Sequence, residues 1–275
     1  MQNLTSQQRT HFDTFGYLVL RGAIRDEIDV VADEFEATFA DLGVAHDGAR
    51  RSIVVPFVDQ RPRLSALLEH DVIAGALTSI LGPDFNYLGS DGNRYSGDTA
   101  WHSDGFHPVG LFLKVAVYLD PVDRDSGALR VIPASHHQVD LPQREAYRSD
   151  ELWGIPMVDV PCVSLDSEPG DVVVFNHNLM HASFGGSTSR RMFTLNCSAR
   201  ATSPEEISDL ETYIGGHGQF WLHRVHARTM REDSPPERMV HLAQPMEHDG
   251  HLATLASAAR AAGGEPPVYG WETTT

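Results

Sequence analysis

Between about residue 85 and residue 200 the chain is a succession of short β-type segments with no helical pattern between them. The segments are FNYLGS, LFLKVAVYLD, ALRVIP, VDVPCVSL, DVVVF and MFTLNCSA, and Gly, Pro, Asp and Ser separate them. Parallel strands need long crossover connections that are usually helical, so this succession predicts antiparallel pairing. We expect a mainly β fold, an antiparallel sandwich or barrel such as a jelly roll, with a cavity between its sheets and helices packed outside.

The stretch before these segments has a mainly helical pattern. Thr5 and Gln8 have capping-box spacing, which predicts a short helix that Gly16 stops before the strand YLVL. Ile28, Val31, Phe35 and Phe39 repeat at helical spacing, and the apolar residues from Leu64 to Leu81 predict a second amphipathic helix that ends at Gly82.

Helical patterns return after Pro204. The segments EEISDLETYI and FWLHRVHARTM predict helices, and SPPER breaks the pattern before an Ala-rich stretch. We interpret this tail as a helical layer on the sheet, in preference to a cover over the cavity mouth. The whole chain, residues 1–275, is expected to be a single domain, with a helical segment over residues 1–84, a β core over about residues 85–200 and a helical segment over residues 201–275.

Composition excludes several classes of partner. The formal net charge is −17, which would repel nucleic acid phosphates and anionic membrane surfaces. No apolar run approaches the roughly 20 residues of a membrane span, and the first residues lack the blocks of a signal peptide. We therefore expect a cytoplasmic protein that acts on a small molecule. Cys162 and Cys197 are too few for a disulfide framework or a thiolate zinc site, and nothing in the sequence indicates an oligomeric state.

The residues that favour metal chemistry are His102 and Asp104. They stand in a strand-like stretch, where alternate residues face the same side and can converge on one ion. The other His-x-Asp triplet, His11 to Asp13, lies in the predicted N-terminal helix, where positions two apart diverge, so we assign it to the surface. His181 follows the strand DVVVF and completes a facial triad of two histidines and one carboxylate.

Other histidines compete with these ligands. His177 precedes His181 by four residues, and a turn through Asn178 is expected to separate the two. His107, His136 and His137 are expected at the surface or beside the ligands, and His107 is also a candidate substrate contact. Trp101, Phe106 and Tyr95 could line the pocket or belong to the core, and we favour the core for Trp153.

Three protein ligands leave positions on iron for a bidentate 2-oxo acid and for dioxygen. The far carboxylate of that acid needs a fixed cation, and Arg190 and Arg191 begin the strand MFTLNCSA. Alternation places Arg190 on the mixed-polarity face with Met192 and Thr194, which suits a wet cavity. We predict Arg190 as the anchor and Arg191 as its exposed neighbour, although a slip of one residue would exchange them.

Lys114 interrupts the apolar strand LFLKVAVYLD. It shares a face with Phe112, Ala116 and Tyr118, opposite a face that is entirely apolar. The side chain can extend to solvent or reach into the cavity to assist an anion, and the pattern favours neither.

Four blocks resemble the phytanoyl-CoA dioxygenase family of Fe(II)- and 2-oxoglutarate-dependent oxygenases. They are DTFGYLVLRGAI, GDTAWHSDGF, YLDPVDRDSGALRVIPASHH and PGDVVVFNHNLMHASFGGSTSRRMF, spread over residues from about 12 to 200. The resemblance implies a double-stranded β-helix (jelly roll, cupin-like) core with flanking helices. It implies His102, Asp104 and His181 as iron ligands, Arg190 as the 2-oxoglutarate anchor, and a polar role near the co-substrate for Asn93.

The sequence departs from the family pattern at two places, GGSTSRR before the arginine and ASHH after the turn, and neither removes a metal ligand. The expected cofactors are Fe(II), 2-oxoglutarate and O2. Hydroxylation is the favoured outcome, because Asp104 occupies the position whose loss would open a site for chloride. Desaturation, ring closure and epimerisation remain open, as do a metal-dependent cupin-like hydrolase or isomerase and a non-catalytic metal-binding protein. The family has many substrates, so it names none.

Overall fold

A computed structural model describes residues 2–138, 151–152, 154–186 and 188–275. Its largest feature is a six-stranded antiparallel sheet, formed by β1 (Tyr17–Leu20), β2 (Ser52–Val54), β3 (Asn86–Tyr95), β5 (Phe112–Tyr118), β10 (Val172–Asn176) and β12 (Arg190–Ser198). The spatial order is β1-β10-β5-β12-β3-β2. Successive neighbours are far apart in sequence, as in a jelly roll rather than a meander.

A second sheet faces the first. It contains β4 (Thr99–His102), β11 (His181–Ser183), β6 (Leu129–Val131) and β9 (Val163–Leu165) in the order β4-β11-β6-β9. A short hairpin pairs β7 (Glu151–Leu152) with β8 (Ile155–Pro156). Leu129, Val131 and Leu165 of the second sheet pack with Val173 and Phe175 of the first sheet. The predicted mainly β, jelly-roll class with flanking helices is confirmed.

Helices cover the outer face of the large sheet and one end of the sheets. They are α1 (Ser6–Phe15), α2 (Ile28–Asp41), α3 (Pro62–Ser65), α4 (Asp71–Leu81), α5 (Pro204–Gly216), α6 (Arg228–Asp233), α7 (Pro236–Glu247) and α8 (Leu252–Ala261). The main core lies between α2–α4 and the outward face of the large sheet, where Leu113, Val115 and Val117 alternate with the inward residues of β5.

The three helical patterns near the N-terminus had different outcomes, and the one from Ile28 to Phe39 forms α2. Helix α1 begins at Thr5 with the capping box and ends at Gly16, which adopts a left-handed φ of 83°, as expected. The single helix from Leu64 to Leu81 is wrong, because α3 and α4 bend by 41° at a break. His70 there has extended ψ, and its side chain accepts a hydrogen bond from the N–H of Val72 and so caps α4.

The C-terminal prediction failed at FWLHRVHARTM, which forms a 3-10 turn, an irregular stretch and only then α6. Trp221 ends the turn in the left-handed region. Beyond it the N–H of Val225 donates to Asp249 and the N–H of Ala227 donates to Asp59. Buried carboxylates therefore replace the helical carbonyl acceptors, which a periodicity argument cannot detect.

No single helix in the described ranges is long and apolar enough to cross a membrane, although the bent pair Pro62–Leu68 and Asp71–Leu81 meets the length and composition criteria together. The apolar residues of that pair belong to the main core.

Candidate active site

The backbone brings His102, Asp104 and His181 together at the end of the small sheet. His102 ends β4, His181 begins β11, and the two are directly opposed in the antiparallel pairing. Asp104 lies two residues beyond β4, where its N–H donates to the carbonyl of His177 at 2.9 Å. One ligand atom from each of the three residues lies within 4.8 Å of the others. Nε2 of His181 is 3.6 Å from Asp104 Oδ2.

Both histidines are oriented in the same way by the backbone. Nδ1 of His102 donates to the carbonyl of Ala100 at 2.8 Å, and Nδ1 of His181 donates to the carbonyl of Leu179 at 2.9 Å. Because a carbonyl can only accept, each Nδ1 carries the proton and each Nε2 keeps its lone pair. The lone pairs therefore belong to the nitrogens that lie nearest the carboxylate. Burial, followed by the neighbouring His102, lowers the pKa of His181 to about 3.

Lys114 reaches into this site from β5, which decides between the two orientations that the sequence left open. Its Nζ donates to Asp104 Oδ1 at 2.8 Å, and Asp104 Oδ2 has no hydrogen-bond partner among the residues that the structure describes. Burial alone would raise the pKa of Asp104, but Lys114 and His181 outweigh it and hold that pKa well below its usual range. The carboxylate is thus ionised, with one oxygen held and the other available to a metal.

Arg190 and Arg191 lie on opposite faces of β12, as alternation predicts. The buried guanidinium of Arg190 lines the cavity, and its Nε and Nη1 have no hydrogen-bond partner in the described ranges. Arg191 points the other way and forms ion pairs with Asp120 at 2.6 Å and Glu36 at 3.0 Å. Arg190 is therefore the arginine that can bind a carboxylate from the cavity.

A glycine creates the space for Arg190. Gly127 has a φ of 90°, and a Cβ built on it would lie 1.6 Å from Nη1 of Arg190. Glycine is therefore needed at this position in the turn after Asp123 for two reasons. Its backbone adopts a left-handed conformation, and a side chain would overlap the guanidinium of Arg190. The glycine in the segment DSGAL indicates a turn, but its proximity to Arg190 can be seen only in the tertiary structure.

The triad, Lys114 and Arg190 line one cavity of about 480 Å³ between the two sheets. The C-terminal segment closes one side of it, since residues of α5 and the following turn, including Tyr213, His217 and Phe220, line the wall. The interpretation of this tail as a helical layer on the sheet holds for α7, which packs on β3, whereas α5 and the following turn cover the cavity. Leu210 and Ile214 on one face of α5 are buried in a hydrophobic cluster, and this packing turns the opposite face toward the site.

Sequence reasoning missed His177 as a cavity residue. The turn at Asn178 is present, as expected, and the His177 side chain is not part of the group formed by His102, Asp104 and His181. His177 is nonetheless buried in the cavity wall, and burial lowers its pKa to about 3. His107, the candidate substrate contact, lies outside the cavity lining, where it stacks on Phe112 and forms a hydrogen bond with Asp209 of α5.

Asn93 does not line the cavity, although it is on the cavity-facing side of β3. Its Oδ1 accepts from Nε of Arg51 at 2.6 Å, and its Nδ2 donates to Asp91. Both of those charged side chains line the cavity, so Asn93 positions two cavity residues through hydrogen bonds without lining the cavity itself. No sequence pattern had indicated Arg51 or Asp91.

The aromatic residues that were candidates for the pocket wall have different surroundings. Tyr95 lines the cavity, between the guanidinium groups of Arg51 and Arg190 at 4.6 and 5.0 Å from its ring centre. Trp101 is fully buried in a separate cluster, and its indole N–H donates to the carbonyl of Met157. Trp153 lies outside the described residues.

Comparison with known proteins assigns the family. The family model described as phytanoyl-CoA dioxygenase (PhyH) matches residues 12–193. The chain belongs to this family. It is therefore an Fe(II)- and 2-oxoglutarate-dependent oxidoreductase, with O2 as the family's oxidant. A probable phytanoyl-CoA dioxygenase of Caenorhabditis elegans is 22% identical over 232 residues, which cover 70% of this chain and 74% of that protein.

Solved structures show the same fold. HygX from Streptomyces hygroscopicus with nickel and 2-oxoglutarate bound is 18% identical, covers 74% of this chain and 90% of its own, and has a TM-score of 0.59. EctD from S. alaskensis with 2-oxoglutarate and 5-hydroxyectoine is 23% identical, with coverage of 71% and 76% and a TM-score of 0.55. The carbocyclase SnoK from nogalamycin biosynthesis is 19% identical, with coverage of 72% and 85% and a TM-score of 0.57.

The side chains of this chain fit the family's metal and co-substrate. Two imidazole Nε2 atoms and an unbonded carboxylate oxygen are a donor set suited to ferrous iron. The guanidinium of Arg190, whose Nε and Nη1 have no acceptor among the residues that the structure describes, is suited to the far carboxylate of 2-oxoglutarate.

Proposed function

We propose that this protein is a dioxygenase that hydroxylates a small-molecule metabolite and converts 2-oxoglutarate to succinate and CO2. In this proposal His102, Asp104 and His181 hold the iron, and Arg190 holds the far carboxylate of the co-substrate. The observation that carries it is the buried guanidinium of Arg190, which has no acceptor among the described residues and shares its cavity with the three ligands. A buried cation without a partner is costly unless a ligand supplies the anion.

The bound iron supplies the redox chemistry that couples loss of CO2 from 2-oxoglutarate to oxidation of a substrate C–H bond. The protein's own groups bind and orient the reactants. Lys114 fixes Asp104 through one oxygen, the backbone carbonyls fix both imidazoles, and Tyr95 stacks beside the anchor arginine. The wall formed by α5 covers one side of the cavity.

Hydroxylation is the outcome we favour, for two reasons. Asp104 supplies a carboxylate where a small residue would leave room for chloride. EctD is described with 5-hydroxyectoine, a hydroxylated product, bound together with 2-oxoglutarate. Related folds also include a carbocyclase and an epimerase, so the outcome depends on which substrate bond faces the metal.

The first test is spectroscopic. Anaerobic addition of Fe(II) and 2-oxoglutarate should give the weak visible charge-transfer band of the chelated complex, and His181→Ala should abolish it because one ligand is lost. His137→Ala, which removes an exposed histidine outside the cavity, is the matched control and should keep the band. A His181→Ala protein that retained the band would refute the ligand assignment.

The second test separates oxidation from Lewis-acid chemistry. Metabolites are screened for succinate release in the presence of Fe(II), 2-oxoglutarate and air, and each hit is repeated without 2-oxoglutarate. A dioxygenase should lose turnover without the co-substrate. Turnover that continued without it, with any divalent metal, would support a hydrolase or isomerase instead.

A further inference from the structure

The charged side chains of the cavity do not balance. Among the residues that the structure describes, three cations and two carboxylates line it: Arg51, Lys114, Arg190, Asp91 and Asp104. Arg51 lies 3.6 Å from Asp91, and Lys114 lies 2.8 Å from Asp104, so Arg190 is the cation in excess. The cavity histidines His177 and His217 do not change this balance at neutral pH, because burial lowers their pKa values to about 3 and about 4.

Binding of Fe(II) and 2-oxoglutarate would leave the net positive charge of the cavity unchanged. A ferrous dication and a 2-oxoglutarate dianion cancel each other, and the co-substrate takes Arg190 as its partner. Asp104 then shares its charge with the metal, so the positive charge that remains in excess belongs to Lys114. A facial triad with an arginine anchor and no lysine would be neutral after the same loading.

Lys114 lies where its positive charge can act on a ligand in the cavity. Its side chain is 17% exposed, and its Nζ adjoins the carboxylate of a proposed metal ligand. An ammonium group has three donors, and within the described ranges Nζ makes one hydrogen bond, to Asp104. Its neighbours on the same face, Ala116 and Tyr118, offer no anion, and the other cavity carboxylate, Asp91, is paired with Arg51. Once Asp104 shares its charge with a metal, a second anion beside Nζ would neutralise this partly buried cation.

We propose that the substrate carries a monoanionic oxygen group, such as a carboxylate, that binds Lys114 beside the metal site. This inference rests on the proposed function, because it assumes that metal and 2-oxoglutarate occupy the cavity. The overall charge of −17 does not oppose it, since a buried site is governed by its nearest charges. Lys114 is then a specificity-determining residue, which selects organic acids over their neutral analogues.

The test uses acetate as the probe and acetamide as its neutral analogue of similar size. Each is titrated anaerobically into the protein loaded with Fe(II) and saturating 2-oxoglutarate, and the visible charge-transfer band is followed. Acetate should perturb the band saturably without bleaching it, and acetamide should not. Lys114→Met should weaken the acetate response by roughly tenfold or more, the scale of losing a charged hydrogen bond. Lys114→Arg should retain it.

Met192→Leu is the matched control, because Met192 lines the same cavity and the substitution changes no charge. It should leave the acetate response unchanged. An equal response to acetamide, a silent acetate titration, bleaching of the band through loss of 2-oxoglutarate, or loss of the response in Met192→Leu would each overturn the inference. Failure of the wild-type protein to form the band would instead count against the proposed function, and the inference would fall with it.

Discussion

Two adjacent arginines on β12 have opposite surroundings, and this difference gives the first prediction. Arg190→Ala should weaken 2-oxoglutarate binding by about 2–5 kcal/mol, the range for losing one partner of a buried charged pair, while iron binding is retained. Arg191→Ala should leave co-substrate affinity unchanged, because Arg191 is engaged by Asp120 and Glu36 outside the cavity. Anaerobic titration of the visible band gives both affinities. A larger defect in Arg191→Ala would exchange the two roles.

Gly127 offers a way to move Arg190 without replacing it. Gly127→Ala should lower the affinity for 2-oxoglutarate, because the added Cβ would overlap Nη1 of Arg190 and displace the guanidinium. The matched control is Gly97→Ala, since Gly97 also has a positive φ, of 77°, but has no atom within 4 Å of an added Cβ. Both variants carry the strain of a left-handed alanine, so only Gly127→Ala should change the titration. Equal affinities in the two variants would contradict the prediction.

Among the elements, α5 shapes the cavity although it contributes no proposed metal ligand. Leu210 anchors it and is 1% exposed, whereas Leu255 of α8 is 42% exposed. Leu210→Ala should lower the free energy of unfolding by about 2–5 kcal/mol, and Leu255→Ala should lower it by less than about 1 kcal/mol. Denaturant unfolding measures both. Equal losses would mean that α5 does not depend on its buried face.

Sequence patterns predict those elements and residues whose placement is local. Strand alternation separates Arg190 from Arg191, and the capping box places the start of α1. Alternation also puts Lys114 on the inward face, but its ion pair with Asp104 needs the tertiary fold. The wall formed by α5 was missed for the same reason, because its amphipathic pattern specifies which face is buried and not what the other face covers.

At the scale of the whole molecule, a buried carboxylate joins three distant regions of the chain. Asp59, from the turn Val58–Gln60, accepts hydrogen bonds from the phenol of Tyr87 in β3 and from the N–H of Ala227 before α6. His226 lies beside it, with Nδ1 3.9 Å from Asp59 Oδ2, and stacks on Tyr87. The helical N-terminal region, the large sheet and the C-terminal region therefore share one titratable cluster.

This cluster predicts opposite pH effects for two substitutions. Burial raises the pKa of Asp59 from 3.8 to about 6, so the folded state holds its proton more strongly, and this contribution to stability is lost as pH rises from 4 to 6. Burial lowers the pKa of His226 from 6.5 to about 3, so the unfolded state takes up the proton first, and this contribution is gained as pH rises over the same window. In the wild-type protein the two contributions oppose each other.

Replacing either residue should therefore reveal the effect of the other on the pH dependence of stability. In His226→Phe the free energy of unfolding should acquire a more negative slope against pH between 4 and 6, by up to about 1.4 kcal/mol per pH unit, the value for one proton. Asp59→Asn should change the slope by a similar amount in the positive direction. Denaturant unfolding of metal-free protein in EDTA, at three pH values in that window, measures the slopes without linkage to metal binding. Ile214→Val is the control, because a core substitution without a titratable group should lower stability equally at each pH. Slopes that matched the wild type in both variants would mean that Asp59 and His226 keep their unfolded-state protonation inside the fold.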